Sequence, residues 1–209
     1  MSPIHLLLIG APAAGKGVQS AKIIEKFGLI HVSTGDILRE NIRDQTELGL
    51  MVKSCLDEGR LVPDDIINRI VIDRLEREDC VRHGWIMDGA IRTRAQAQAM
   101  VAAGHAPEVV IHIDVADEVV LQRICGRRTD PVTGAIYNLA TNPPTDPEVS
   151  ARLVQRSDDT VEKMESRLKD FHDQTEPVLN EFSSIVHRID GTQSIDKVFE
   201  DICAILNKQ

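Results

Sequence analysis

Near the start of the chain, Gly10-Ala11-Pro12-Ala13-Ala14-Gly15-Lys16 has the spacing G-x-x-x-x-G-K. A loop of this pattern cradles phosphate groups when it links a strand to a helix. Backbone N–H groups and the helix N-terminus then face phosphate oxygens, and Lys16 acts as a point charge on the outer phosphates. The same seven residues also fit an ordinary strand-to-helix turn with a surface lysine. The flanks decide for phosphate: residues 4–9 are an apolar run, and residues 15–27 have a helical pattern stopped at Gly28. A second signal is the basic set, which holds 16 arginines and only 8 lysines. Arginine is the residue suited to bidentate phosphate contacts; biased codon usage is the alternative.

The elements that would hold these residues follow from apolar periodicity. Short apolar runs at 4–9, 29–32, 84–89, 109–114 and 185–189 predict strands. Helical patterns occupy 15–27, much of 36–57 and 64–77, then 93–103 and 117–124. The last helix has Ile195, Val198, Phe199, Ile202 and Ile205 on one face. Strands alternating with helices argue for a parallel sheet covered on both faces. Residues 129–147 break that rhythm, with Asp-Pro, Thr-Gly, Asn-Pro-Pro and Thr-Asp-Pro around Ala135-Ile136-Tyr137, and predict a small hairpin-bearing insertion. The expectation is an α/β P-loop fold of three layers, with five parallel strands and two mobile insertions. A chain of 209 residues fits one compact domain with such insertions.

Composition excludes several function classes. With 24 basic and 33 acidic residues the net charge is −9, a poor match to nucleic acid. The longest clean apolar run, Leu6-Leu7-Leu8-Ile9, is far short of the roughly 20 residues a membrane helix needs. The start, Met1-Ser2-Pro3-Ile4-His5, lacks the basic stretch of a signal peptide, and Cys55, Cys80, Cys125 and Cys203 are scattered without a CxxC pair. These features predict a cytoplasmic protein with reduced thiols and with neither a membrane nor a nucleic-acid partner.

The residue after the loop lysine is Gly17, where phosphate loops usually have Ser or Thr. Lys-Gly here resembles the nucleoside monophosphate kinases, adenylate kinases of the long-lid type most closely. Further segments agree in order: His31-Val32-Ser33-Thr34-Gly35-Asp36-Ile37-Leu38-Arg39, Gly59-Arg60-Leu61-Val62-Pro63-Asp64, Asp88-Gly89 with Arg92-Thr93 and Gln96, Cys125-Gly126-Arg127-Arg128, Tyr137-Asn138, Asn142-Pro143-Pro144, Gln155-Arg156-Ser157-Asp158-Asp159, Arg167, and Asp190-Gly191-Thr192. The resemblance implies a core of residues 1–32, 63–124 and 161–209, a monophosphate-binding insertion at 33–62 and a lid at 125–160. It implies that residues 10–18 (Gly10, Ala11, Pro12, Ala13, Ala14, Gly15, Lys16, Gly17, Val18), with Arg123, Arg127, Tyr137 and Gln193, hold ATP. AMP would be held by Thr34, Gly35, Arg39, Leu56, Arg60, Val62, Gly89, Arg92, Gln96, Arg156 and Arg167. The catalytic set would be Lys16, Arg92, Arg127, Arg156 and Arg167, with Asp88 organising Mg²⁺ through water, since Mg²⁺ keeps most of its waters. Thr34 favours AMP as acceptor, because pyrimidine-specific relatives have a smaller residue there. Zinc-bearing relatives place a cysteine cluster in the lid; here only Cys125 borders it, so no structural zinc is expected. Long-lid relatives are monomers, and the same is expected here. The implied reaction is reversible phosphoryl transfer from MgATP to AMP, giving two ADP.

Four positions at three sites depart from the family pattern. Val18 stands where a Thr serves the phosphates; one lost hydrogen bond to a charged group costs about 1.5–3 kcal/mol, or about 10- to 100-fold in rate. Ala90-Ile91 replaces an aromatic–proline pair joined by a cis bond, so a trans bond is expected, with a rearranged acceptor loop and a displaced Arg92. Gln193 replaces a lysine near the donor base, and Tyr137-Asn138 also occurs in GTP-using relatives. These departures keep two alternatives in view: another donor or acceptor, such as GTP:AMP transfer, or a weakly catalytic nucleotide-binding regulator.

Overall fold

The computed structural model describes residues 3–57, 62–155 and 159–208. The chain runs β1 (Ile4–Gly10), α1 (Lys16–Phe27), β2 (Ile30–Val32), α2 (Thr34–Arg43), α3 (Glu47–Asp57), α4 (Asp64–Leu75), α5 (Glu78–His83), β3 (Gly84–Asp88), α6 (Arg94–Ala102), β4 (Val109–Asp114), α7 (Asp117–Gly126), β5 (Arg127–Thr129), β6 (Ile136–Asn138), α8 (Pro147–Arg152) and α9 (Val161–Asp170). A π-helical turn (Phe171–Thr175) follows, then α10 (Val178–Glu181), β7 (Val186–Asp190) and α11 (Ile195–Leu206). No helix among the described residues is long and apolar enough to cross a membrane.

Five strands form one parallel sheet in the order β2-β3-β1-β4-β7. The α/β class and the five expected strands are therefore present. The apolar runs explain why: Leu6, Leu7, Leu8, Val109, Val110 and Ile111 are each at most 1% exposed, so both faces of the central strands are covered. Burial on both faces is what a parallel sheet requires. Helices supply the cover, with α1 packed on α11, α4 on α6 and α7 on α9. The order places β1 between β3 and β4, so chain connections diverge from its C-terminal end. That divergence opens a crevice beyond the strand ends, the usual ligand position in an open α/β sheet. Gly10, Asp88, Asp114 and Asp190 terminate their strands at this edge.

Two short elements, α5 and α10, carry no clear apolar period and were not expected. The hairpin of β5 and β6 was expected within residues 129–147 but begins earlier, with Arg127 opposite Asn138. Asp130, in the turn region, has a fully buried carboxylate. It accepts from Arg152 Nε and Nη2 (2.7 Å each), Val132 N (3.0 Å) and Thr133 Oγ1 (2.8 Å). The Arg152 contacts hold this carboxyl well below the usual carboxylate range. Thr129 also pairs with Val154, so the hairpin is tied to the strand-like residue that follows α8.

Replacing Ile111 by Ala, at the centre of β4, is expected to lower stability by about 2–5 kcal/mol. Urea unfolding followed by the fluorescence of Trp85, buried in the neighbouring core, measures it.

Candidate active site

The phosphate-loop residues turn where β1 ends. Gly15 is left-handed (φ 109°) and precedes the first turn of α1, a geometry that costs any other residue. Ala14 N–H closes the loop on the Ala11 carbonyl at 3.1 Å. At Gly17 a Cβ would lie 3.1 Å from Ile136 Cδ1, so the hairpin side chain packs closely on the first turn of α1, and a larger residue here would require the end of that side chain to shift.

Lys16 Nζ donates to the carbonyls of Gly10 (2.8 Å) and Ala11 (3.0 Å). Burial pushes this ammonium down to about 8. Asp88 opposes the shift, whereas Arg167, Arg92 and Arg127 add to it by like-charge repulsion. Three guanidinium groups from distant parts of the chain thus add to the effect of burial on one lysine.

These groups line a single cleft of about 1120 Å³. From the expected donor set, Gly10, Pro12 to Val18, Arg123, Arg127, Tyr137 and Gln193 face it, and Ala11 lies buried beneath. From the expected acceptor set, Gly35, Gly89, Arg92 and Arg167 face it, as does Asp88. Thr34, Val62 and Gln96 are not on its wall. Thr34 Oγ1 donates to the Ala90 carbonyl (3.3 Å), and Gln96 closes a capping box with Thr93 while donating to Asp64 (2.7 Å). Arg60 and Arg156 lie outside the described residues, as do the side chains of Arg39 and Leu56.

The remaining cationic groups are already engaged. Arg123 donates to the carbonyls of Ala14 (3.1 Å) and Gly191 (2.7 Å), and so joins the phosphate loop to the exit of β7. Burial lowers its pKa, with Asp190 opposing. Arg127 makes a bidentate pair with the buried Asp159, through Nε at 2.9 Å and through Nη2. Gln193 turns back on its own loop, donating to Asp190 O (3.1 Å) and Asp201 Oδ2 (3.3 Å). No peptide bond among the described residues is cis, so Ala90–Ile91 is trans as expected, and Arg92 still reaches the cleft.

Ser20 Oγ lies 3.5 Å from Asp88 Oδ2. One carboxylate at the mouth of a phosphate loop, with open space around it, fits Mg²⁺ held through water. Among the described residues no group of three or more His, Cys, Asp or Glu side chains is arranged to hold a metal directly.

A family model described as adenylate kinase matches residues 8–186. The chain belongs to the adenylate kinase family. Its relatives include an adenylate kinase of Caldanaerobacter subterraneus subsp. tengcongensis, 44% identical, with 95% of this chain and 94% of the relative covered. The adenylate kinase of Fusobacterium nucleatum subsp. nucleatum is 45% identical, covering 99% and 100%. A chloroplastic adenylate kinase of Zea mays is 40% identical, covering 98% and 92%. Family membership makes the chain a nucleoside monophosphate kinase.

Some contacts at the cleft and behind it leave little trace in the sequence. Asp159 was read as part of a segment end, yet it is the partner of Arg127 across 32 positions. Asp170, Phe171 and Thr175 line the cleft; no sequence motif singles them out, and their helical spacing from Arg167 is the signal that could have found them. Replacing Asp159 by Asn leaves a buried guanidinium without its counter-charge. It is expected to cost about 3 kcal/mol in urea unfolding, and millimolar inorganic phosphate should restore more stability to this variant than to the parent.

Proposed function

We propose that the cleft performs the family reaction, reversible transfer of the terminal phosphoryl group from ATP to AMP, in the following way. Phosphoryl transfer needs two polyanions held in line and charge neutralised around the moving group; it needs no protein nucleophile. The phosphate loop receives the donor, with backbone N–H groups on its phosphates and Lys16 on the outer ones. Arg92, with Arg39, holds the acceptor phosphate. Arg123, Arg127, Arg156 and Arg167 surround the donor phosphates and the transferred group. Thr34, Gly35, Leu56, Arg60, Val62, Gly89 and Gln96 serve the acceptor nucleotide, and Tyr137 and Gln193 the donor end. Asp88 would hold Mg²⁺ through its waters, and the ion, bound with the nucleotide, would neutralise phosphate charge.

The observation that carries this reading is the convergence of Lys16, Arg92, Arg127 and Arg167 on one cleft at the end of β1, where burial first and then the guanidinium charges lower the lysine's pKa. In this account the Arg127–Asp159 pair is a resting contact, and donor phosphates compete with Asp159 for the guanidinium. Segments 33–62 and 125–160 act as separate closing units on a core of 1–32, 63–124 and 161–209. Closure excludes the water that would otherwise accept the phosphoryl group. The chain works as a monomer in the cytoplasm; the free thiols of Cys80, Cys125 and Cys203 fit a reducing compartment.

A coupled assay with Mg²⁺, a panel of ATP, GTP and other donors, and AMP, UMP, CMP and GMP as acceptors tests the reading. ATP with AMP is expected to be the best pair, and Lys16→Ala should lower its turnover by at least about 100-fold. A faster rate with UMP than with AMP, or turnover unaffected by Lys16→Ala, would overturn it.

A further inference from the structure

The loop that delivers Arg92 contains no proline to stiffen it, and Gly89 turns through positive φ (64°). Its end is nevertheless fixed on both sides. Arg92 N–H donates to Gln96 Oε1 at 2.8 Å, and the Arg92 carbonyl accepts from Thr175 Oγ1 at 3.1 Å. Gln96 is a neighbour on the next helix. Thr175 is 83 positions away in the sequence and lines the same cleft.

A local irregularity brings Thr175 there. It is the last residue of the π-helical turn that continues α9. Pro177 cannot donate to the carbonyl four residues back, and its ring crowds that carbonyl. The chain widens instead, and Glu176 N–H bonds to the Phe171 carbonyl five residues back, at 2.8 Å. On its outer side the turn is tethered by His172, whose ring lies 3.0 Å from Asp117 Oδ1 on α7 and 3.0 Å from Glu176 Oε2. On its inner side Phe171 and Thr175 line the cleft beside Arg167. Single wide turns of this kind are frequent at functional sites.

We propose that Thr175 is a positioning residue for the acceptor-site arginine. Its hydroxyl ties the loop after β3 to the helix that carries Arg167, and sets the direction from which Arg92 approaches the acceptor phosphate. The inference rests on the reading of Arg92 as an acceptor-phosphate ligand. Thr175 touches the backbone of Arg92, so its effect falls on acceptor use more than on donor use.

Steady-state kinetics of the full chain, with AMP and ATP varied in turn, tests this in Thr175→Val, Thr175→Ser and Arg92→Ala. Valine keeps the shape and removes the donor; serine keeps the donor. Thr175→Val is expected to raise KM for AMP, or lower kcat/KM for AMP, by about 2- to 10-fold, the effect of one neutral hydrogen bond. KM for ATP should stay within about twofold, and Thr175→Ser should recover most of the loss. The Arg92 carbonyl ¹³C shift should move in Thr175→Val and return in Thr175→Ser. Thr175→Ala replaces the valine variant if that one does not fold. An impaired Arg92→Ala beside a Thr175→Val with normal AMP kinetics overturns the role of Thr175 alone. Equal losses toward ATP and AMP, or a serine variant as impaired as valine, overturn it too. An Arg92→Ala that uses AMP normally overturns the acceptor reading, and the role of Thr175 with it.

Discussion

Lys16 is held where an ammonium ion is poorly solvated and faces three guanidinium groups. Two backbone carbonyls accept its hydrogen bonds, and the negative charge of Asp88 acts to raise its pKa. This cluster of like charge is stable only because rigid elements hold its members, and because each cation has a partial resting partner. The parallel sheet is the rigid part. It ends β1 at the phosphate loop, ends β3 at Asp88, and lets α7, the start of β5 and α9 bring Arg123, Arg127 and Arg167 to the same crevice. In the reading proposed above a polyphosphate supplies the missing charge, and the unfavourable term in the free protein becomes the binding term in the complex.

The arginine excess divides along this line. Arg92, Arg123, Arg127 and Arg167 serve the cleft. Others serve the frame: Arg152 closes a bidentate pair on the fully buried Asp130, and Arg74 pairs with Asp79 at 2.8 Å. Arg43, Arg82 and Arg94 make exposed pairs with neighbouring acids, which contribute little. Net charge therefore describes neither the ligand nor the architecture. A planar, always-charged fork meets both needs, for phosphate and for a buried carboxylate.

The central strands were legible because apolar runs buried on both faces leave an unambiguous pattern, and residues 109–114 coincide with β4. The loop Gly10–Lys16 was legible because backbone chemistry fixes its spacing. Helix α5 was not, since Glu78–His83 is short and mostly polar. Strand order and long-range partners were also hidden. Nothing local in Arg127 points to Asp159, and nothing in Thr175 points to the Arg92 carbonyl. Gln96 shows the same limit: its motif position pointed to a ligand contact, and the fold also gives it the work of joining α6 to Asp64. Long-range pairing is a product of topology, and single residue types carry little trace of it.

The electrostatic state of Lys16 is the most direct test. NMR titration of ¹³Cε-labelled lysine, with and without MgATP, reports it. In the free protein Lys16 is expected to titrate near 8, well below the ordinary 10.5. With the polyphosphate bound, its pKa should rise toward the ordinary lysine range, so that binding takes up a proton at pH values between the two. A Lys16 that titrates near 10.5 in the free protein, and does not move when nucleotide binds, would contradict the account.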